Sequence, residues 1–182
     1  MAVFAWSDTH MGHKNILKYR PMFKTLKEHD EYILDQLRDT ITKRDKLYLL
    51  GDNAFSYQGF LKLISAIPEG AVVVYMGGNH DFERDKRYSR YVAVDRRVSE
   101  FGAGLIKERT YKAWMSHAPV HPVELRKCIN IHGHVHDNTL PDNKYFNVSV
   151  DNCGKPINLE EIRKYVKDGK TAPFCYKPLF SL

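Results

Sequence analysis

Ile131-His132-Gly133-His134-Val135-His136 decides how the rest of this chain is read. Three imidazoles fall within five residues, directly after the short apolar run Cys128-Ile129-Asn130-Ile131. Neutral imidazole is the commonest protein metal ligand and the side chain that normally titrates near neutrality. A glycine between two histidines lets the backbone leave a strand and turn both rings towards one point. Alone, the stretch also fits a solvated loop or an adventitious metal binder. Four other places in the chain repeat its arrangement, with an apolar strand running straight into a metal-ligand type of residue.

Val3-Phe4-Ala5-Trp6 is nearly all apolar, as a strand buried on both faces is, and it delivers Ser7-Asp8-Thr9-His10. Asp8 and His10 are two apart, so in an extended segment they point to the same side. Lys46-Leu47-Tyr48-Leu49-Leu50 is a second expected strand, ending in Gly51-Asp52-Asn53. The β-branched run Ala71-Val72-Val73-Val74-Tyr75-Met76 leads into Gly77-Gly78-Asn79-His80-Asp81. Lys112-Ala113-Trp114-Met115 leads to Ser116-His117, and Lys144 to Val150 alternates as a further strand ending at Asp151. Between them, Ile33, Leu34, Leu37 and Ile41 give a one-sided helix over 28–42, and a second helix covers 58–67. Asn158 with Glu161 three residues on reads as a capping box opening a last helix. Strands alternating with helices predict an α/β fold, in which ligands gather outside the carboxyl ends of the strands.

With 182 residues, 43% of them hydrophobic, the chain suits a single domain over 1–182 with a substantial core. No run approaches the ~18 apolar residues needed to span a bilayer, so no membrane partner is expected. The start, Met1 to Asp8, lacks the basic beginning and small-residue cleavage site of a signal peptide, which makes a cytoplasmic location the expectation. Cys128, Cys153 and Cys175 are odd in number and widely spaced, and read as reduced bystanders. A net charge of +6 favours anionic partners, whether phosphorylated small molecules or nucleic acid.

Asp-x-His, Gly-Asp or a lone histidine is common by chance, but five such blocks in one order, each after an expected strand, are not. Asp8-Thr9-His10, Gly51-Asp52, Gly78-Asn79-His80-Asp81, His117 and Gly133-His134-Val135-His136 resemble the blocks of the calcineurin-like metallophosphoesterase superfamily, over positions 3 to about 151. The likeness is greatest to its small, lid-free bacterial and phage members. Gly51-Asp52-Asn53-Ala54-Phe55 departs from the longer second block of the protein Ser/Thr phosphatases. The resemblance implies an αββα sandwich of two mixed β-sheets flanked by helices. It also implies two divalent ions, manganese first, with iron, zinc or nickel as alternatives. One ion would take Asp8, His10, Asp52 and His136, the other Asp52, Asn79, His117 and His134, with Asp52 bridging. Imidazole, carboxylate and amide oxygen suit such borderline ions. Two ions roughly 3.5–4 Å apart can hold a bridging hydroxide for in-line displacement at phosphorus. His80 would be the acid or electrostatic stabiliser at the leaving group, the other reading being a structural hydrogen bond from its ring to Asp8 or Asp52.

The remaining polar residues carry two readings each. Asp81 could orient His80 or cap the following segment. His13 and Asn15 could touch phosphate or bond within their loop. Asp151 could bond a ligand histidine or close a turn, and Arg20 is the one arginine near the first loop. His132 is expected to pack, not ligate, and His29 and His121 to be solvated. The basic run with Arg84, Lys86, Arg87, Arg90, Arg96 and Arg97 reads as a solvated face, with nucleic-acid binding as the lesser reading. The terminal Ala172 to Tyr176 with Leu179-Phe180 could close the core or form a dimer contact.

The function expected is a dinuclear phosphoesterase, a phosphodiesterase acting on small phosphodiesters or cyclic nucleotides. A phosphomonoesterase or nuclease of the same superfamily is the alternative, and a non-catalytic interaction scaffold a poorer one. His80 and Asp52 are the residues expected at the chemistry.

Overall fold

The computed structural model describes residues 1–81 and 88–170. Arg84, Lys86, Arg87 and the terminal segment 172–180 lie outside the described residues. Two mixed sheets pack face to face, flanked by helices. The first contains β1 (Val3–Trp6), β2 (Lys46–Leu50), β3 (Val72–Gly77), β4 (Val98–Ala103) and β9 (Ile157–Asn158), in the order β4-β3-β2-β1-β9. β1 to β4 run parallel and β9 pairs antiparallel with β1. The second sheet contains β5 (Leu105–Glu108), β6 (Ala113–Ser116), β7 (Ile129–His132) and β8 (Tyr145–Asn147), in chain order. β5 is antiparallel to β6, and β6, β7 and β8 are parallel.

The apolar runs of the first sheet are continuous because both faces are covered. Side chains alternate across a strand. Leu47, Leu49, Val73 and Tyr75 therefore face one core, with Ile33, Leu34 and Leu37 of α1 (Leu26–Thr40) and Phe60, Leu63 and Ile64 of α2 (Tyr57–Ser65). Their neighbours Tyr48, Leu50, Val74 and Met76 face the other, against Ala113, Met115, Ile131 and Phe146 of the second sheet. α3 (Tyr88–Val94) adds Val92 to the first core, and α6 (Leu159–Lys167) adds Leu159 and Ile162 to the second. Two short helices, α4 (Pro122–Leu125) and α5 (Val150–Cys153), sit in connections. No described helix is long and apolar enough to cross a membrane.

β1 and β2 span the expected residues, and the first helix starts two residues early. Its cap is Thr25, whose side chain accepts the Glu28 amide at 3.1 Å. At α6 the Asn158 side chain accepts from the amide of Glu160, not of Glu161. The expected strand from Lys144 to Val150 stops at Asn147. There the Asn147 side-chain oxygen takes the Ser149 amide, and its nitrogen bonds the carbonyls of His136 and Asn138. The chain then crosses to the first sheet, where Val150 donates to the Ser7 carbonyl at 3.0 Å, and Asp151 lies in α5. β4, β5, β9 and a 3₁₀ turn at Lys14–Lys18 were not foreseen.

Candidate metal centre

The carboxyl ends of β1, β2, β3, β6 and β7 meet at one place. Asp8 and His10 donate their amides to the carbonyls of Gly51 and Asp52, at 3.0 and 2.9 Å, which locks the first two loops side by side. The Gly133 amide bonds the His117 carbonyl at 2.8 Å, joining the ends of β6 and β7. The His134 amide donates to Asp8 Oδ2 at 2.9 Å, and that contact ties the two sheets together.

The close approach demands glycine at three of the blocks, Gly51 among them, where a Cβ would overlap the His117 ring. A Cβ at Gly133 would overlap the Ser7 hydroxyl and an Asp8 oxygen, and one at Gly78 would overlap the Asp52 carboxylate and amide. Gly133 is thus required for room, and the turn itself is made by His134 at φ 70°. Asp8 (59°), His10 (48°), Asp52 (51°) and His136 (52°) are also left-handed, five of the seven non-glycine residues so placed among those described. Each costs roughly 1–2 kcal/mol, and such outliers concentrate at functional sites. Asp8 and His10 therefore converge from a coiled loop instead of the extended one expected.

All seven expected ligands are brought together. His10 Nε2 is 4.0 Å from Asp8 Oδ1 and 3.9 Å from Asp52 Oδ2, and His117 Nε2 is 3.5 Å from the same Asp52 oxygen. His117 Nε2 and His134 Nδ1 are 3.3 Å apart, and both contact Asn79 Oδ1, at 2.9 and 3.1 Å. Ligands of one ion at ~2.1 Å stand about 3.0–3.4 Å from each other, and the contacts around His117 run from 2.9 to 3.5 Å. Asp8, His10 and His136 form one group able to hold a metal, and Asp8, Asp52 and His117 a second. Asp8 is common to these groups, whereas Asp52 Oδ2 faces a histidine of each expected set.

Two buried atoms speak for a cation. Asp8 Oδ1 and His10 Nε2 have no hydrogen-bond partner among the described residues, although Asp8 is fully buried and His10 nearly so. Leaving such groups unmatched costs ~1–3 kcal/mol apiece, which a metal ion would offset. His117 Nδ1 faces the Leu50 carbonyl at 2.9 Å and so carries the hydrogen, leaving Nε2 a lone pair aimed at the cluster. The donor set of imidazoles, carboxylates and an amide oxygen fits a borderline divalent ion.

The charges are those of a site wanting positive charge. Burial raises the Asp8 carboxyl above its ordinary range, with the nearby His117 and His136 pulling against it. Burial and the Arg20 charge hold His10 well below a usual imidazole. For Asp52 burial is outweighed by His117 and the His80 amide, which bring it down to about 2. Burial lowers His117, but the carboxylates of Asp52 and Asp8 raise it overall. His136 is raised by its hydrogen bond to Asp151.

Around the centre, the structure places the residues that carry two readings. The His80 amide donates to Asp52 Oδ1 at 2.8 Å, and its ring centroid lies 6.1 Å from that of His10. The segment that Asp81 could cap lies outside the described residues. Asp81 is buried and takes the amides of Asn53, Ala54 and Gly78 and the Tyr75 hydroxyl, which shapes the second and third loops. His13 stacks on Phe55 at 3.7 Å, while Asn15 is exposed in the 3₁₀ turn. His132 packs, with Nδ1 on the Gly133 carbonyl. His121 is exposed and its Nδ1 accepts the Val123 amide. Asp151 bonds His136 Nδ1 at 2.7 Å.

His29 overturns its expectation, since it is fully buried, edge-on to Phe23 and bonded to Asp30 and Arg20. Arg20 is fully buried as well, and sequence reasoning missed its role because neighbours so distant in the chain leave no local pattern. In the basic run, Arg97 is clamped by Asp95 at 2.6 Å and Arg96 meets Glu69 at 3.4 Å. These arginines line a groove of about 400 Å³ with Ile67, Pro68 and Val72, at the amino end of β3 and so away from the centre.

No family model matches the chain. It is 30% identical to the uncharacterized protein MJ1445 of Methanocaldococcus jannaschii, with 92% of this chain and 93% of that protein covered. The chain belongs to the same family as that archaeal protein. It is also similar to the crystal structure of AQ665, a protein of unknown function from Aquifex aeolicus. The TM-score is 0.67 at 27% identity, over 90% of this chain and 98% of that one.

Proposed function

We propose that this protein is a dinuclear metal-dependent phosphoesterase with the metallophosphatase fold of the calcineurin-like superfamily, and that it prefers phosphodiesters. The observation that carries this reading is the convergence of seven ligand-type side chains from five strand ends, with buried Asp8 Oδ1 and His10 Nε2 unmatched among the described residues. Asp8, His10, Asp52 and His136 would hold one ion, and Asp52, Asn79, His117 and His134 the other, manganese being the expected metal. When bound, two such ions supply Lewis acidity at phosphorus and make water a nucleophile near neutral pH.

The chain's own side chains do the rest. Asn79 and His134 are exposed, so substrate enters from their side, while Asp8, His10, Asp52 and His117 form the buried floor. His80 gives a proton to the leaving-group oxygen. Arg20 is engaged by Asp151 and the Asp8 carbonyl, so it is withheld from substrate. A monoester dianion thereby gains no clamp from Arg20, and a diester monoanion needs none.

The test compares catalytic efficiency on bis-nitrophenyl phosphate, nitrophenyl phosphate and 2′,3′-cyclic nucleotides, with manganese-loaded and metal-stripped protein. Diester hydrolysis that requires the metal is expected. A monoester preference of about tenfold, kept with a natural leaving group, overturns the substrate class. Absence of turnover on all three overturns the enzyme reading.

A further inference from the structure

We propose that Arg20 is a positioning residue for one half of the metal centre, fixing Asp8, His136 and the loop after His10 for one ion, on the assignment in which Asp52 and not Asp8 serves both. This inference rests on the dinuclear reading above. The Arg20 guanidinium spends its donors on three segments. Nε and Nη2 grip Asp151 Oδ1 and Oδ2 at 2.8 and 2.7 Å, in the bidentate form only arginine offers. Nη2 also donates to the Asp8 carbonyl at 2.7 Å, and Nη1 meets His29 Nε2 at 2.9 Å.

Each contact leads to a ligand-bearing segment, directly at Asp8 and at one remove through Asp151 and through His29. Asp151 Oδ2 also receives His136 Nδ1 at 2.7 Å, so the hydrogen sits on Nδ1 and the Nε2 lone pair is left for the metal group with Asp8 and His10. A carboxylate behind a ligating histidine fixes both the tautomer and the ring. The Asp8 carbonyl is pinned at a residue whose φ of 59° is unfavourable on its own. His29 accepts from Arg20 at Nε2, so its Nδ1 donates to Asp30 Oδ1 at 3.0 Å, and that oxygen takes the Gly12 amide at 3.2 Å. Gly12 is two residues past His10. Among the described residues Arg20 makes no hydrogen bond to Asn79, His117 or His134, and His117 is oriented by the Leu50 carbonyl instead.

A lysine would keep the charge but lose the fork, so Arg20→Lys is the main variant, with Asp151→Asn as the second. Manganese is titrated calorimetrically into metal-free wild type and variants, and cobalt spectra report the coordination of each ion. Both variants are expected to lose ~10–100-fold in affinity for one ion while the second keeps its affinity. Long-range ¹H–¹⁵N spectra of metal-free wild type at alkaline pH are expected to show His136 protonated at Nδ1, a readout that needs no variant to fold. Equal weakening of both ions, unchanged affinities, or His136 protonated at Nε2 overturns the inference. Wild type that binds two ions beside unaltered variants overturns the inference alone, and wild type that binds none overturns the dinuclear reading with it.

Discussion

Asp52 faces His117 through Oδ2 at 3.5 Å, while its other oxygen is held by the His80 amide at 2.8 Å. The carboxylate cannot rotate without losing that amide, and its free oxygen is directed between His117 and His10. Asp52→Asn is therefore expected to lose both ions, whereas His136→Ala and His117→Ala each weaken one. Elemental analysis of folded protein checks this. Two full equivalents in Asp52→Asn would transfer the bridging role to Asp8, the residue common to both metal-holding groups.

His80→Ala should retain its metals and lose turnover. Its amide serves Asp52, and any residue but proline supplies that amide. General acid–base groups contribute ~10²–10⁴-fold, so a loss of that size is expected with a poor leaving group. The loss should shrink for nitrophenolate, which leaves without a proton. Equal losses on both would assign His80 a structural role.

Gly133→Ala should destabilise the protein by about 1–3 kcal/mol, as overpacking does, because the new methyl meets Ser7 and Asp8. Asp8 must shift, so metal content should fall as well. Urea unfolding with and without manganese measures both effects. A variant of wild-type stability and metal content would show that the loop gives way freely.

Metal affinity should rise with pH. In the metal-free site His117, His136 and Asp8 are all raised, so each holds its proton to higher pH than a free side chain. For the two histidines, the stability their protons contribute is complete below an unfolded value of ~6.5 and is lost as pH rises through the folded value. Metal displaces those protons, so the metal-free protein binds more protons than the loaded one, and the affinity increases with pH. Calorimetry at several pH values, in buffers of different ionisation enthalpy, counts the protons released. An affinity independent of pH would contradict these assignments.

The strand ends were legible because β1, β2 and β3 are buried on both faces and so appear as unbroken apolar runs. The ligand residues follow them directly, and their convergence follows from parallel strands sharing one end. The Arg20–Asp151 pair was not legible, since its members are 131 residues apart and a buried arginine looks like any other in sequence. His29 was misread for the same reason, as its charged neighbours suggested solvent while the fold seals it. The true end of β8 depended on Asn147 turning the chain with its own side chain, a choice that alternating apolar residues do not announce.

Anomalous scattering from manganese-soaked crystals tests the central claim most directly. Two peaks are predicted, one among Asp8, His10 and His136 and one among Asn79, His117 and His134, with Asp52 between them. A single peak, or none within reach of these side chains, would contradict the dinuclear centre.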